Sequence, residues 1–359
     1  MSDKADTSRI EVACCLGLTD SQAFHYPAPI ARHPSVAKVR LLRPQRSAYG
    51  IYPGTDYILT SRLLPLRLTQ MYIHCLRLAR RREVKAFVSF NPFPYGLIPF
   101  FAARRYGKAI HFGFIGPDWY RHMRSARRNL LLPMVKKADF ITATGERMRE
   151  EIVACGVEAS KVAILPHCID IERFPVNEPA KAKYDCVYVG KLIRRKRVDV
   201  LLRAFAKVLE VRPGSRFCIV GDGPLRRNLS RLADEIGLGT AVDFAGYRRD
   251  VQNYLSKSRI NVMSSSQEGF PFSIVEGICC GAVPVSTPVG TIGDLIRDGE
   301  NGLLFPEEDA PALAAAILRL LEDRALYDRL RRKVLLMRDE FSYDRATAVW
   351  DPWIRSLAE

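Results

Sequence analysis

The chain has 359 residues and carries 55 Lys and Arg against 39 Asp and Glu, a formal net charge of +16. Its composition, 48% hydrophobic and 26% charged, is typical of a folded globular protein and excludes a fibre or a largely disordered chain. The length exceeds that of one comfortable hydrophobic core, so we expect two domains.

Short β-rich segments alternate with helical patterns in the first half of the chain. The predicted strands are Glu11–Leu18, Val39–Leu42, Ala86–Phe90, Ala109–Phe114, Phe140–Thr142 and Val162–Leu165. The predicted helices are Arg62–Arg82, Tyr95–Tyr106, Trp119–Lys137 and Glu146–Cys155. This alternation predicts a parallel sheet covered by helices on both faces.

The second half repeats the alternation. Its predicted strands are Cys186–Val189, Arg216–Val220, Val242–Ala245, Ile260–Met263, Val283–Ser286 and Leu303–Phe305. Its predicted helices are Val198–Val211, Leu225–Ile236, Val251–Lys257, Ser273–Cys280 and Ala310–Leu321, and a last helix is expected over Ala346–Leu357. The sequence therefore predicts an α/β protein of two Rossmann-like domains, joined by the proline-containing segment Pro166–Lys183.

Cysteine usage and the N-terminus indicate a reducing compartment. The nine cysteines include no Cys-x-x-Cys pair, so neither a disulfide framework nor a structural zinc site is expected. The polar segment Met1–Ile10 does not match a secretory signal, and the apolar segment Pro92–Ala103 is too short to span a bilayer. We expect a cytoplasmic protein.

The positive charge lies almost entirely in the first half. Residues 1–175 hold 27 basic and 14 acidic residues, a net of +13, whereas residues 176–359 have a net of +3. Four arginines, Arg121, Arg124, Arg127 and Arg128, are predicted to share one face of the helix Trp119–Lys137, and Leu130 follows them. Such a helix suits an anionic membrane surface; a solvated helix face and a nucleic-acid surface are the alternatives.

The segment Ser264–Thr287 is the most informative stretch for function. Glu268 is expected in a loop after a strand, and Glu276 on the first turns of the next helix. Ligands bind at the carboxyl ends of parallel strands in such folds. One carboxylate could therefore meet a reacting sugar while the other accepts hydrogen bonds from ribose hydroxyls; simple solvation and helix capping are the alternative.

Two glycine-containing turns are also expected at the carboxyl ends of the parallel strands. Gly190 ends a strand and is followed by five cations, Lys191, Arg194, Arg195, Lys196 and Arg197. Glycine allows close backbone approach and cations neutralise phosphate, so this turn suits a diphosphate. The second turn is Gly221-Asp222-Gly223-Pro224, which also follows a strand.

These segments together resemble the retaining glycosyltransferases of family four, among the group 1 glycosyltransferases. The resemblance rests on Gly190-Lys191-Leu192 with Lys196, Gly221–Pro224, Gly246-Tyr247 with Asp250-Val251, Glu268–Pro271 through Glu276, Gly281 with Pro284-Val285, Gly290, and Asp298–Gly302. It implies the GT-B fold, with two Rossmann-like domains facing across a cleft and a C-terminal helix crossing back to the first. The implied boundaries are 1–170 for the acceptor-side domain, 184–340 for the nucleotide-sugar domain and 341–359 for the returning helix.

The resemblance also implies roles for individual residues. Glu268 would approach the transferred sugar, Glu276 would bind the donor ribose, and Lys191 and Lys196 would hold the diphosphate. The remaining implied donor contacts are Gly190, Arg195, Gly246, Tyr247, Gly269, Phe270, Pro271, Phe272, Ser273, Ile274 and Val275, of which Gly246 and Tyr247 border the base. No metal and no cofactor is implied, because the nucleotide sugar is a co-substrate.

The sequence departs from the family pattern at three places. Lys191 stands where the family usually has arginine, so a bidentate group becomes a point charge, and Arg194 or Arg195 could compensate. The family's first-domain histidine falls on Ile115, which leaves Asp118 or His111 as candidates for its sugar contact. The family's first glycine-rich loop is reduced to Gly17 and its two neighbouring leucines.

The implied activity is transfer of a sugar, with retained anomeric configuration, to a glycan or lipid-linked acceptor at the cytoplasmic face of the membrane. Cell-envelope polysaccharide synthesis is the expected context, with peripheral contact to anionic lipid and without nucleic acid as a partner. A basic nucleic-acid-binding protein and a catalytically silent interaction protein on the same fold are the alternatives. A phosphorylase-like or epimerase activity on the same architecture is a related possibility.

Overall fold

A computed structural model describes residues 9–359 apart from residues 19, 49, 91, 116, 117 and 269. The described chain divides into two compact units. The first comprises the described residues up to Ile169 together with Ser342–Glu359, and the second comprises Asp170–Phe341. Among the described helices, none is both long and apolar enough to cross a membrane.

The first unit is a parallel sheet with helices. Its elements are β1 (Ile10–Cys15), α1 (Asp20–His25), α2 (Ala28–Arg32), β2 (Val36–Arg43), β3 (Thr55–Leu59), α3 (Leu64–Ala79), β4 (Val84–Ser89), a kinked turn (Pro92–Gly96), α4 (Leu97–Tyr106), β5 (Ala109–Gly113), α5 (Asp118–Met123), α6 (Arg128–Lys136), β6 (Phe140–Ala143), α7 (Glu146–Ala154) and β7 (Val162–Ile164). The strand order is β3-β2-β1-β4-β5-β6-β7.

The second unit repeats this design. Its elements are β8 (Tyr184–Val189), α8 (Val198–Val211), β9 (Phe217–Val220), α9 (Arg226–Glu235), β10 (Val242–Gly246), α10 (Gln252–Leu255), β11 (Ser258–Met263), α11 (Phe272–Cys279), β12 (Val283–Ser286), α12 (Ile292–Leu295), β13 (Leu303–Leu304), α13 (Ala310–Glu322) and α14 (Arg324–Met337). The strand order is β10-β9-β8-β11-β12-β13, and the paired strands are parallel.

Each unit has its own hydrophobic core. Central strands such as β4 and β8 are buried along nearly their whole length because helices cover both faces of each sheet. The direction in which successive strands are added reverses between β1 and β4 in the first sheet and between β8 and β11 in the second. Each reversal creates a switch point, where the loops after the two central strands diverge. The predicted pair of Rossmann-like domains is therefore confirmed.

One predicted helix is wrong in a way that matters for function. The segment Trp119–Lys137 forms two helices, α5 and α6, instead of one. The Ser125 side chain and amide both bond the carbonyl oxygen of His122, at 2.9 and 3.2 Å, and this competition ends the first helix. Arg124 and Arg127 thus lie in the connecting turn, so the four arginines do not share a helix face. Strand β3 and the short helices α1 and α2 escaped the sequence analysis.

The C-terminal helix α15 (Tyr343–Ala358) belongs to the first unit. Its Trp350 is fully buried, with its ring centroid 4.7 Å from that of His111 and 5.5 Å from that of Phe140. Trp353 stacks on Phe140 at 5.3 Å. The two tryptophans therefore pack the C-terminal helix into the first unit, to which it was expected to return.

Three polar contacts fasten the same helix. The hydroxyl of Tyr343 lies 2.6 Å from Nδ1 of His25, and Asp344 accepts a 2.8 Å ion pair from Arg32. The hydroxyl of Thr347 donates to the carbonyl oxygen of Pro29 at 3.1 Å. Because the apolar ring contacts are buried and the ion pair is exposed, the tryptophans supply most of the stabilisation.

We therefore expect Trp350→Ala to lower the free energy of unfolding of the first unit by about 3–5 kcal/mol, because the ring leaves a large buried cavity. Urea unfolding followed by circular dichroism measures this loss. Arg355→Ala, which alters an exposed residue of the same helix, is the matched control and should change stability by under about 1 kcal/mol. A loss below about 1 kcal/mol in Trp350→Ala would contradict the packing described.

Candidate functional site

The loops after β8 and β9 touch through their backbones. Gly221 has a φ of 144°, and a Cβ built there would overlap the carbonyl oxygen of Gly190. A Cβ at Gly223 would lie 2.5 Å from the carbonyl oxygen of Leu192. The amides of Gly190 and Leu192 donate to the carbonyl oxygens of Val220 and Asp222, both at 3.0 Å. Glycine is therefore required here by conformation and by space.

Serines of the loop after β11 form hydrogen bonds to the backbone of the basic turn after Gly190. Arg194–Lys196 form a single 3₁₀ turn, and Arg197 adopts a left-handed conformation with a φ of 47° before α8 begins. The hydroxyl of Ser264 donates to the carbonyl oxygens of Lys196 and Arg197, at 3.1 and 2.9 Å. These bonds join the loops that follow the two central strands, β8 and β11.

The amide of Ser266 adds a third contact, donating to the carbonyl oxygen of Arg195 at 2.9 Å. Sequence analysis missed the supporting role of Ser264 and Ser266. The run of three serines directly after a buried strand was the available signal, since short hydroxyl side chains readily bond nearby backbone.

The five cations of the turn have different surroundings. Arg197 forms ion pairs with Asp199 and with Glu308, and these contacts tie it to α8 and to the loop before α13. It therefore has a structural role in this conformation. Lys191, Arg194 and Arg195 are exposed. The Arg195 guanidinium approaches the carbonyl oxygen of Gln267 at 3.5 Å, which is the limit of a hydrogen bond.

Lys196 and Glu268 are in direct contact. The Lys196 ammonium donates to Oε1 of Glu268, and the two side chains are only 12% and 5% exposed. Tyr188, at the base of the same site, donates its hydroxyl to the carbonyl oxygen of Lys191 at 3.2 Å. Burial and the charge of Glu268 raise the pKa of Tyr188, so the phenol stays protonated. The two residues predicted to serve the sugar and the diphosphate are thus adjacent.

Glu276 lies on α11 and is buried, and its carboxyl group forms no hydrogen bond among the described residues. Burial raises its pKa to about 8, and the nearby charge of Arg173 opposes this shift. A buried carboxyl group of this kind gains from ligand hydroxyls that supply the missing hydrogen bonds.

The segment before Glu276 contributes fewer free amides than predicted. Phe270 and Phe272 are half-buried, with their rings edge to face at 5.0 Å. The amides of Ile274 and Val275 both donate to the carbonyl oxygen of Pro271, at 2.9 and 3.2 Å, and their side chains are buried in the core. Both amides are therefore engaged within the first turn of α11, and donor contacts by Ile274 and Val275 stay a prediction. Ser273 is half-buried at the helix start, and the predicted Gly269 lies outside the described residues.

Gly246 and Tyr247 lie at the end of β10, beside the Gly221 turn. Gly246 has a φ of 72°, and its carbonyl oxygen accepts the amide of Gly221 at 2.8 Å. Tyr247 is 62% exposed. An exposed aromatic ring next to a strand end offers a surface on which a nucleobase could stack.

In the first unit, the predicted candidates differ sharply in exposure. His111 is completely buried, its Nε2 lies 3.0 Å from the hydroxyl of Thr142, and burial lowers its pKa. It is part of the core under Trp350, so a sugar cannot reach it without unpacking the helix. Asp118 is half-buried at the start of α5, and burial raises its pKa. Asp118 therefore remains the candidate, while residues 116 and 117 lie outside the described residues.

Gly17 follows β1 and is exposed. A Cβ at this position would overlap the ring of Tyr95, so the ring covers the glycine backbone on one side. Across the described chain, no group of three or more His, Cys, Asp or Glu side chains could hold a metal ion.

Comparisons with known proteins agree with this geometry. The sequence profile of the family described as glycosyl transferases, group 1, matches residues 170–335. A lipopolysaccharide core biosynthesis glycosyltransferase of Rhizobium meliloti is 33% identical over 165 residues, 46% of this chain and 47% of that protein. An exopolysaccharide phosphotransferase of Streptomyces coelicolor is 29% identical over 238 residues, 66% of this chain and 25% of that protein. The chain thus spans less than half the length of either relative.

A solved structure extends the likeness to both units. The crystal structure of Anabaena HepE in complex with UDP has a TM-score of 0.76 at 16% sequence identity, covering 97% of this chain and 100% of that one. The architecture is therefore that of the GT-B glycosyltransferases. The second unit is thus similar in sequence to the group 1 glycosyltransferases.

We expect Gly221→Ala to lower the free energy of unfolding by at least about 2 kcal/mol, because its Cβ would collide with backbone rather than with a movable side chain. Gly214→Ala is the matched control, since a Cβ there meets nothing within 4 Å. Thermal unfolding of the two variants measures the difference. Equal stability of the two variants would show that the loops do not touch as described.

The buried Glu276 predicts a pH dependence of stability. Its pKa is raised from 4.5 to about 8, so the folded state binds more protons than the unfolded state between these values. This group therefore lowers the free energy of unfolding as the pH rises from 4.5 to 8, by at most about 1.4 kcal/mol per pH unit. Glu276→Gln should remove this component, so its stability relative to wild type should increase with pH.

Denaturant unfolding at pH 5, 6.5 and 8 checks this expectation. The exposed Glu307→Gln serves as the control and should track the wild type at every pH. A Glu276→Gln profile parallel to that of the wild type would mean that Glu276 is solvated in the folded protein.

Proposed function

We propose that the protein is a retaining glycosyltransferase of family four that moves a sugar from a nucleoside-diphosphate sugar to a glycan or lipid-linked acceptor. The observation that carries the proposal is the contact between Lys196 and Glu268 at the switch point of the second sheet. The nearby Gly190 turn and the buried Glu276 lie at the same carboxyl edge. Ligands of open parallel sheets bind at this edge.

The cations of the basic turn suit the leaving group of such a reaction. When the bond between the anomeric carbon and the diphosphate breaks, negative charge develops on the phosphate oxygens. The Ser264 hydroxyl donates a hydrogen bond to the carbonyl oxygen of Lys196 and so fixes the backbone there. Lys196 can therefore interact with that negative charge with little rearrangement. Lys191 and Arg195 are exposed at the same turn and would complete a cationic cradle, which lets the protein stabilise the leaving group with its own side chains.

The proposed reaction proceeds on one face of the sugar. The acceptor hydroxyl oxygen bonds to the anomeric carbon as the bond to the diphosphate oxygen breaks and its electron pair leaves with the diphosphate. The proton of the acceptor hydroxyl passes to that leaving oxygen. Glu268 lies next to Lys196 and would orient the sugar hydroxyls, while the carboxyl group of Glu276 would accept hydrogen bonds from the ribose.

The first unit would supply the acceptor side. Asp118, half-buried at the start of α5, is the proposed sugar contact there, and the exposed backbone of Gly17 is available for a phosphate oxygen. The relatives from Rhizobium meliloti and Streptomyces coelicolor are named for a lipopolysaccharide core and for an exopolysaccharide, respectively. A cell-envelope glycan, presented at the cytoplasmic face of the membrane, is the proposed acceptor class.

The test is release of nucleoside diphosphate from a panel of nucleotide sugars, with polysaccharide or lipid-linked acceptors. We expect Lys196→Ala and Glu268→Ala each to lower kcat by about 10²–10³, because each removes a charged group from the reacting centre. Lys207→Ala and Glu210→Ala, which alter exposed residues of α8, are the matched controls and should keep wild-type rates.

Full activity in Lys196→Ala would contradict the diphosphate role. Release of nucleoside monophosphate would instead indicate phosphotransfer, the chemistry for which the Streptomyces relative is named. No turnover with any nucleotide sugar, combined with salt-dependent retardation of RNA or DNA, would favour a nucleic-acid-binding function.

A further inference from the structure

Exposed apolar side chains concentrate on one segment of the first unit. Leu63 is 71% exposed, and five further residues between positions 59 and 73 expose more than two-fifths of their area: Leu59, Leu64, Leu66, Tyr72 and Ile73. Leu66 and Ile73 are seven residues apart on α3 and share its outer face, whereas Met71 and Leu78 of the same helix are buried. An apolar surface of this density marks an interaction site.

The same segment carries only positive charge. Residues 57–82 include six arginines and no aspartate or glutamate. Arg62, which precedes the helix, and Arg77, in its last turn, are exposed and form no ion pair among the described residues. The outer face of α3 is thus apolar at its start and basic at its end. We call the exposed side chains of residues 62–77 the α3 surface.

The exposed leucines are held on an anchored turn. Arg67 donates from Nε to the carbonyl oxygen of Ser61 at 3.0 Å, and its guanidinium also bonds the carbonyl oxygen of Arg62. A third bond, 2.8 Å long, runs from Nη1 to the hydroxyl of Tyr95. Tyr95 is the residue whose ring covers Gly17, so the surface is linked through one side chain to the loop after β1.

The segment that the sequence predicts to contact a membrane, Trp119–Lys137, lacks such a surface. In the turn between α5 and α6 the arginines are exposed, but Leu131 and Val135 are buried in the core, and Leu130 alone of the nearby leucines is strongly exposed. Arg127 lies over the ring of Phe93 at 4.6 Å. One exposed leucine beside these arginines offers less apolar area to a membrane than the six exposed apolar residues between positions 59 and 73.

We propose that the α3 surface docks the protein on an anionic membrane. The leucines would enter the boundary between headgroups and acyl chains, and Arg62 and Arg77 would contact anionic headgroups. A second copy of the chain fits less well, because a two-fold contact would bring Arg62 and Arg77 of one copy toward those of the other, and residues 57–82 supply no acidic partner. This inference rests on the proposed function in one respect, because that function places the acceptor at the membrane. The docking itself requires no donor or acceptor.

The test is flotation of the full chain with vesicles of phosphatidylcholine, with and without about one third phosphatidylglycerol. Binding should require the anionic lipid and weaken with salt. The triple variant Leu63→Ser, Leu64→Ser, Leu66→Ser should lower the vesicle partition coefficient at least about tenfold, and Arg62→Ala with Arg77→Ala should do the same. Leu336→Ser with Val211→Ser, which alters exposed apolar residues of the second unit, is the matched control and should bind like wild type.

Two outcomes would overturn the proposal. The first is unchanged flotation of the leucine variant with loss of flotation in the variant Arg124→Ala, Arg127→Ala, Arg128→Ala. The second is a concentration-dependent dimer, measured by light scattering, that the leucine variant abolishes, since this identifies a second copy as the occupant. Nucleoside-diphosphate binding by the wild type and by the leucine variant, measured in parallel, reports on the proposed function separately. A wild-type protein that floats with the vesicles but binds no nucleoside diphosphate would defeat only the proposed function.

Discussion

The free-energy cost of burying ionised groups governs the carboxyl edge of the second sheet. Lys196 and Glu268 offset this cost for each other by direct contact, and the serine bonds behind the turn hold them there. Glu276 has no such partner, and burial shifts it toward its protonated form. In the proposed function, the hydroxyl and phosphate groups of a nucleotide sugar would supply partners to these two carboxyl groups and to the cations beside them.

The backbone contact between Gly190 and Gly221 makes this edge possible. Because Gly221 has no Cβ, the loops after β8 and β9 approach to backbone contact, while Ser264 and Ser266 join the basic turn to the loop after β11. The positive charge of the chain then divides into two parts. A small part, the basic turn, lies in the nearly neutral second half, and the larger part belongs to the first half, where the α3 surface combines two exposed arginines with exposed leucines.

Much of this could be predicted from the sequence, for identifiable reasons. Buried strands of four to six apolar residues alternate with amphipathic helices such as α8, so the two parallel sheets were evident. The spacing of Glu268 and Glu276 placed them after one strand and on the next helix. The break at Ser125 was not evident, because a local side-chain bond outcompeted a good helical pattern. Nor was the exposure of Leu63 and Leu66, since apolar residues on a helix are usually assigned to the core.

We propose that the carboxyl edge of the second sheet binds a nucleoside diphosphate through Lys196 and its neighbours. Isothermal titration calorimetry with the nucleoside diphosphates of the common bases tests it most directly. The account predicts that at least one of them binds the wild-type protein, and that Lys196→Ala weakens this binding at least about tenfold, while Lys207→Ala leaves it unchanged. Equal affinity of wild type and Lys196→Ala for that nucleotide would contradict the account.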